Sequence, residues 1–251
     1  ILEDDDKKFA NTVEKAVKYC KENRQPYGLI APKGVMAAND KPNNMDRTYP
    51  MSREEAMEVI LNNMPGDTIY SATTGRATRE LFFLREKRSE TKAHDFLNVG
   101  SMGHASSVAL GIALEKPERK VVALDGDSAC MMHMGAMTMV SKLDVPNFMH
   151  VVLNNGSHES VGGQPSAGHK VDFTKIAEAC DYATVGHPVT TEVELMEALE
   201  VLRNCGKASF IDCRIHKGLS RKLPPVIFDH REVIDALIDN LNESRITMDK
   251  K

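Results

Sequence analysis

The chain has 251 residues, of which 41% are hydrophobic and 27% are charged, a composition that can bury an ordinary globular core. This length allows one large domain, or one domain together with a fragment of another. The formal net charge of −4 argues against a general nucleic-acid binder. The sequence has no uninterrupted apolar run of about 18 residues, so it predicts no membrane span.

The N-terminal residues and the cysteines indicate the cellular compartment. Residues 1–8 lack the basic and apolar regions of a signal peptide. They also lack an initiator Met, so we expect a processed product or the later part of a longer chain. The five cysteines are odd in number and form no C-x-x-C pair, which argues against a disulfide framework or a zinc site. We therefore expect a cytoplasmic protein.

The first 50 residues predict one helix, one strand and a linker. Residues 8–24 place apolar side chains at helical spacing, and residues 27–31 have the apolar composition of a short strand. Residues 32–50 contain several prolines together with glycine, asparagine and aspartate, which is typical of a linker.

After residue 50, apolar strands alternate with helices. Capping boxes at Ser52 with Glu55, and at Thr191 with Glu194, predict two helix starts. The predicted strands are 67–71, 95–99, 120–124, 149–153 and 208–212. The predicted helices are 52–64, 78–86, 103–114, 129–142, 172–180, 191–203 and 231–241. This alternation predicts an α/β fold, a doubly wound parallel sheet with helices on both faces.

Ligands of such sheets bind beyond the carboxyl ends of the strands, so the loops that follow strands are the candidate sites. One of them, residues 98–105, is rich in glycine, which either brings backbone N–H groups close to an anion or serves packing alone. Another contains Asp127, which either caps the next helix or binds a hard cation. A third contains Asn154 and Asn155, which either form a turn or supply an amide oxygen to a metal.

The spacing of two of these residues resembles a known cofactor motif. Asp127 and Asn155 are 28 residues apart, in Gly-Asp and Asn-Asn pairs that each follow a buried strand. This pattern resembles the cofactor motif of the thiamine diphosphate-dependent enzymes. The resemblance implies that Asp127, Asn155 and the main-chain oxygen of Ser157 bind Mg²⁺, which explains how a carboxylate can lie beside a diphosphate. It also implies cofactor contacts at Gly126, Ser128 and Ala129.

The same resemblance gives roles to the glycine-rich loop. The carbonyl of Gly100 would accept a hydrogen bond from the 4′-amino group of the cofactor, and Met102 would be the apolar wedge that bends it. The alternative for Met102 is ordinary core packing, because the chain has 14 methionines. The other cofactor contacts that the resemblance implies are Thr74, Gly75, Ser101, Gly103 and His104.

Longer motifs narrow the resemblance. Residues 71–82, 133–136 and 154–165 look like those of the phosphonopyruvate decarboxylases, with the sulfopyruvate decarboxylases as close relatives. The resemblance implies decarboxylation of a small anionic 2-oxo acid, most simply 3-phosphonopyruvate to phosphonoacetaldehyde and CO₂. His158 and Glu159 lie in the loop after the metal ligands, where they would contact substrate or transfer protons unless the loop is merely solvated. Arg76 and His104 are further candidates for binding the substrate anion.

The resemblance also implies a partner. Enzymes of this kind combine a diphosphate-binding unit with a pyrimidine-binding unit that supplies a catalytic glutamate. Residues 51–251 match the first unit, residues 1–31 resemble the end of the second, and residues 32–50 join them. We therefore expect a pyrimidine-binding domain or subunit as partner in a homo- or hetero-oligomer. The alternatives are a sulfopyruvate decarboxylase β-type subunit and a non-catalytic regulatory subunit, although the latter would not need metal ligands.

Overall fold

The computed structural model describes residues 1–36, 47–218 and 228–248. The chain forms two units, residues 1–44 and residues 45–251. In the first unit, helix α1 (Asp6–Asn23) begins after Asp5, whose carboxylate accepts a hydrogen bond from the Lys8 N–H. The helix ends at Arg24, which adopts the left-handed conformation with φ 53°. The prediction of a helix over residues 8–24 is confirmed.

The prediction of a strand over residues 27–31 is wrong. This segment has no regular structure, and Tyr27, Leu29 and Ile30 are exposed. Apolar composition alone does not form a strand, because a strand is stable only when neighbouring strands satisfy its backbone. Of the predicted linker, residues 37–46 lie outside the described residues.

The second unit contains the predicted alternation of strands and helices. Its strands are β1 (Ile69–Ala72), β2 (Asp95–Leu97), β3 (Val121–Gly126), β4 (Phe148–Asn154), β5 (Ser157–His158), β6 (Gln164–Pro165) and β7 (Ser209–Arg214). Its helices are α2 (Arg53–Asn63), α3 (Arg76–Lys87), α4 (Ala105–Glu115), α5 (Asp127–Met132), α6 (Phe173–Ala179), α7 (Glu192–Leu202) and α8 (His230–Met248). Both predicted capping boxes form, at the starts of α2 and α7.

Five strands form one parallel sheet in the order β2-β1-β3-β4-β7. The chain passes from β1 outward to β2 and then returns across β1 to β3. The direction of strand addition therefore reverses between β1 and β3, and the loops after these two strands diverge. Such a reversal opens a crevice at the carboxyl edge of the sheet, which is where ligands bind in this class of fold.

Helices cover both faces of the sheet, which confirms the predicted α/β architecture. On one face, α2, α3 and α7 pack side chains such as Met57, Leu81 and Leu199 against the sheet. On the other face, α4 and α6 contribute Ala109 and Phe173 to a second apolar layer. In the described part of the chain, no helix combines the length and the hydropathy that crossing a membrane requires.

The single helix predicted over residues 129–142 is wrong. Helix α5 begins at Asp127 and ends at Met132, and a 3₁₀ helix follows from Met134 to Lys142. His133 separates the two with a non-helical backbone (φ −130°, ψ 37°). Gly135 lies two residues further on, and glycine has poor helix propensity. The loop predicted after β4 also has structure, since β5 and β6 form a short antiparallel hairpin.

Candidate cofactor and metal site

A cavity of about 290 Å³ lies at the carboxyl edge of the sheet. Its walls come from the segments that follow β1, β3 and β4, so it occupies the crevice where strand order reverses. The predicted site residues that line it are Thr74, Gly75, Met102, Gly126, Asp127, Ser128, Ala129, Asn155, Ser157, His158 and Glu159. Loops that are far apart in the sequence therefore meet in one cavity, as expected for the ends of parallel strands.

Asp127 is the acidic residue among the predicted metal ligands. It is the first residue of α5, and only 2% of it is exposed. Its Oδ2 accepts a hydrogen bond from the Ser166 hydroxyl. Burial raises the pKa of the Asp127 carboxyl above its ordinary value, even though the Ser166 hydroxyl favours the charged form. A divalent cation beside this carboxylate would reverse that shift.

The two asparagines after β4 have different surroundings. Asn154 is fully buried, and its Nδ2 donates to the Gly168 carbonyl and to Asp212 Oδ1, each at 3.0 Å. Asn155 lines the cavity instead, and its Oδ1 accepts a hydrogen bond from the Ser157 N–H at 3.1 Å. The geometry therefore separates a structural asparagine from one that faces the cavity.

The glycine-rich loop reaches the cavity through one side chain, that of Met102. The predicted cofactor contacts Gly100, Ser101, Gly103 and His104 are not among the residues that line it. Gly103 (φ +87°) instead packs against α5, where an added Cβ would lie 2.8 Å from the Ala129 carbonyl oxygen. This close approach fixes the loop against the segment that contains Asp127.

Arg53 is a site residue that the sequence analysis missed. It lines the cavity from the first turn of α2, and its guanidinium pairs with Glu80 at 3.1 Å and with Glu159 at 2.6 Å. The three side chains are each at least 91% buried. One signal was available, because a cation in the first turn of a helix opposes the helix dipole and needs a compensating anion. Its partners are distant in the sequence, so no local motif identified them.

Glu159 is not a solvated loop residue. Its Oε1 accepts from the Gly218 N–H, and its main-chain oxygen accepts from Arg76 Nη2 at 3.1 Å. Burial alone would raise the pKa of the Glu159 carboxyl, but the Arg53 charge and the Gly218 N–H bring it below its ordinary value. His158 is its neighbour on the cavity wall and is partly exposed.

Comparison with known proteins identifies the fold's family. Residues 73–213 match the model of the thiamine pyrophosphate enzyme C-terminal TPP-binding domain. The chain belongs to this family. The match includes the loops after β1, β3 and β4, and therefore most of the cavity wall. The expected family resemblance is confirmed.

Relatives within the thiamine pyrophosphate enzymes include decarboxylases of two substrates. The chain is 36% identical to the phosphonopyruvate decarboxylase of Streptomyces viridochromogenes over 193 residues, which are 69% of this chain and 46% of that protein. It is 27% identical to the sulfopyruvate decarboxylase subunit beta of Methanocaldococcus jannaschii, over 73% of this chain and 95% of that subunit. The chain thus spans less than half of the phosphonopyruvate decarboxylase and nearly all of the β subunit.

A solved structure supports the fold. The thiamine diphosphate-dependent 4-hydroxybenzoylformate decarboxylase of Rhodococcus jostii RHA1 superposes with a TM-score of 0.52 and 18% identity. The alignment covers 76% of this chain and 35% of that protein. At this identity the likeness extends to the fold, and it agrees with the parallel sheet described above.

The cavity fits the cofactor of the thiamine pyrophosphate enzymes. Among the described residues, Thr73 Oγ1 and Ser157 Oγ are buried without a hydrogen-bond partner. Both residues line the cavity. Unsatisfied polar atoms are rare inside proteins and often mark the place of a ligand. The described parts of the chain contain no group of three or more His, Cys, Asp or Glu side chains that could hold a metal ion, so a metal here would need amide or main-chain oxygens besides Asp127.

Asp212, under the site, makes folding sensitive to pH. It is 1% exposed, and burial raises the pKa of its carboxyl to about 6. The unfolded chain loses this proton at lower pH than the folded protein, so stability falls as the pH rises from about 4 to about 6. Asp212→Asn removes this dependence. We expect the variant to gain up to about 3 kcal/mol relative to the wild type between pH 4 and pH 7, measured by urea unfolding. A constant difference across this range would contradict the assignment.

Proposed function

We propose that this chain is the diphosphate-binding half of a thiamine diphosphate- and Mg²⁺-dependent decarboxylase that acts on 3-phosphonopyruvate. The observation that carries the proposal is the meeting of Asp127, Asn155 and Ser157 in one cavity at the switch point of the sheet. A carboxylate, an amide oxygen and a main-chain oxygen are hard ligands that suit Mg²⁺. The metal would in turn bind phosphate oxygens of the cofactor.

The chain's own residues have separate tasks in this proposal. Asp127, Asn155 and the main-chain oxygen of Ser157 hold the metal. Met102, which lines the cavity, would give the cofactor an apolar support, and the Gly100 carbonyl would accept a hydrogen bond from its amino group. The other proposed cofactor contacts are Thr74, Gly75, Ser101, Gly103, His104, Gly126, Ser128 and Ala129. The bound cofactor supplies the site that accepts the electrons left by departing CO₂.

His158 is the proposed substrate contact. It lines the cavity, and its partial exposure leaves room for a substrate to reach the imidazole. A substrate with a carboxylate and a phosphonate brings several negative charges, for which Arg76 on the same wall supplies a positive charge. The imidazole is also the proposed proton donor for release of an aldehyde product.

Two observations bear on the substrate and on the partner. The higher identity to a phosphonopyruvate decarboxylase favours that substrate, and sulfopyruvate is the alternative. The match to almost the whole length of a β subunit favours assembly with a second polypeptide or domain. That partner binds the pyrimidine end of the cofactor and supplies the catalytic glutamate. The non-catalytic alternative is disfavoured because the proposed metal-binding side chains are intact.

The partner requirement gives a direct test. We expect the purified chain, given Mg²⁺ and thiamine diphosphate, to release no CO₂ from 3-phosphonopyruvate. Co-expression with the N-terminal half of the Streptomyces viridochromogenes enzyme supplies the part that this chain does not span. We expect the combination to release CO₂, with kcat/KM at least about tenfold higher for phosphonopyruvate than for sulfopyruvate, since charge and shape at one anionic group are worth ~1–3 kcal/mol.

The controls separate the parts of the proposal. Pyruvate, which lacks the second anion, tests whether that group is recognised. Turnover by the chain alone would refute the proposed need for a partner. A preference for sulfopyruvate would refute the substrate and favour the alternative.

A further inference from the structure

Glu159 connects the proposed metal ligand Asn155 to a buried ion pair. Its Oε2 accepts hydrogen bonds from Asn155 Nδ2 at 2.7 Å and from Arg53 Nη2 at 2.6 Å. Its other oxygen accepts from the Gly218 N–H. Three donors from separate parts of the chain therefore converge on one carboxylate that is 9% exposed. Such a carboxylate has little freedom to move.

This arrangement determines which way the Asn155 amide faces. A carboxylate only accepts hydrogen bonds, so the atom of Asn155 next to Glu159 must be the NH₂ group. The amide oxygen is then the atom that remains for other partners, and it accepts from the Ser157 N–H at 3.1 Å. Without Glu159, rotation of the amide by half a turn would present NH₂ to a metal, and NH₂ cannot be a ligand.

Arg53 holds the carboxylate in place. Its guanidinium is 8% exposed and bonds Glu159 through Nη2 and Glu80 through Nη1. The planar guanidinium fixes the direction as well as the distance of both bonds. A buried carboxylate is costly unless it is paired, so Arg53 is what allows Glu159 to remain next to Asn155.

We propose that Glu159 is a positioning residue that orients the side-chain amide of Asn155 for metal binding, and that Arg53 holds Glu159 in that role. This inference rests on the proposed function, because it takes Asn155 to be a metal ligand. It replaces the expectation that Glu159 acts on the substrate, since its oxygens are already occupied by three donors.

The first test observes the side-chain amide of Asn155 by NMR, without metal. In ¹⁵N-labelled chain, the Asn155 side-chain NH₂ signals are identified as the pair missing from Asn155→Ser. We expect these signals to shift in Glu159→Ala, and to remain close to their wild-type positions in Glu159→Gln, which keeps an acceptor oxygen. The matched control is Glu90→Gln, which weakens the Arg85–Glu90 ion pair outside the cavity. Unchanged signals in Glu159→Ala would overturn the inference.

The second test measures metal binding. Paramagnetic broadening by Mn²⁺ with thiamine diphosphate detects weak binding in the isolated chain. We expect Glu159→Ala to weaken Mn²⁺ binding about 10- to 100-fold, the usual effect of losing a partner of a metal ligand. Glu159→Gln should recover most of this loss, and Glu90→Gln should bind as the wild type does. If Glu159→Ala does not fold, Arg53→Lys takes its place, because lysine keeps the charge and loses the planar pair of donors to Glu159 and Glu80. We expect it to shift the Asn155 NH₂ signals and to weaken Mn²⁺ binding, and wild-type values of both would overturn the inference.

The outcomes distinguish the inference from the function on which it rests. If the wild type binds Mn²⁺ in a way that depends on Asp127 and Glu159→Ala binds equally well, the positioning role is wrong and the cofactor site stands. If the wild type shows no binding that depends on Asp127, the proposed metal site is wrong. The NH₂ signals then still report whether Glu159 orients the amide.

Discussion

Asp127→Ala should abolish Mg²⁺-dependent binding of thiamine diphosphate when the chain is combined with a pyrimidine-binding half. The variant removes the one buried carboxylate among the proposed metal ligands. Loss of a partner of a ligand already costs about 10- to 100-fold in metal affinity, so loss of the ligand itself should exceed ~100-fold. Calorimetric titration of the cofactor, with and without Mg²⁺, measures the effect.

The control for this variant is Asp144→Ala, because Asp144 is exposed and lies outside the cavity. It should bind the cofactor as the wild type does. Asp127→Ala leaves the Ser166 hydroxyl without its acceptor, so circular dichroism and urea unfolding check that the variant is folded. Wild-type cofactor affinity in Asp127→Ala would refute the metal assignment.

Gly103→Ala should destabilise the second unit by about 2–5 kcal/mol. The residue has φ +87°, which an alanine adopts only with strain, and the new Cβ would lie 2.6 Å from the His133 ring and 2.8 Å from the Ala129 carbonyl oxygen. Strained backbone and overpacking each cost about 1–3 kcal/mol. The backbone carbonyl cannot move without shifting α5, so the loss should appear in the midpoint of urea unfolding.

Gly111→Ala is the matched control for this substitution. Gly111 lies within α4, and among the described residues no heavy atom lies within 4 Å of the Cβ position, apart from its chain neighbours and the nearby backbone of its own helix. Alanine has better helix propensity than glycine by about 1 kcal/mol, so this variant should be as stable as the wild type or more stable. Equal stability of the two variants would contradict the close approach of the glycine-rich loop to α5.

The sequence predicted the fold well because its signals are local. Both capping boxes depend on residues three positions apart, and the buried strands contain continuous apolar runs such as residues 121–124 in β3. The exceptions depend on context. Residues 27–31 have strand composition but pair with no strand in the part of the chain that the structure describes, and the backbone at His133 divides a segment whose composition predicts one helix.

The sequence predicts only those site residues that belong to a recognisable motif. Asp127 and Asn155 follow strands, so the rule that parallel strands end at one edge of the sheet brings them together. The Arg53–Glu159 pair joins α2 to a loop more than 100 residues later. No rule of spacing predicts such a pair, because it depends on how the two segments pack. For the same reason, the sequence alone predicts that Glu159 acts on the substrate and does not reveal its buried partners.

The order of strands in the sheet has a consequence for how the protein folds. Tyr70 pairs with Val122 and Val151 pairs with Ile211, so these two pairings each close a long stretch of chain. Proteins dominated by such non-local pairings fold slowly, because the loop must close before the pairing stabilises it. The cavity draws its walls from β1, β3 and β4, and so it exists only after these pairings form. A cofactor would therefore bind the native state and not the unfolded chain. Its binding would raise the free energy of unfolding by mass action.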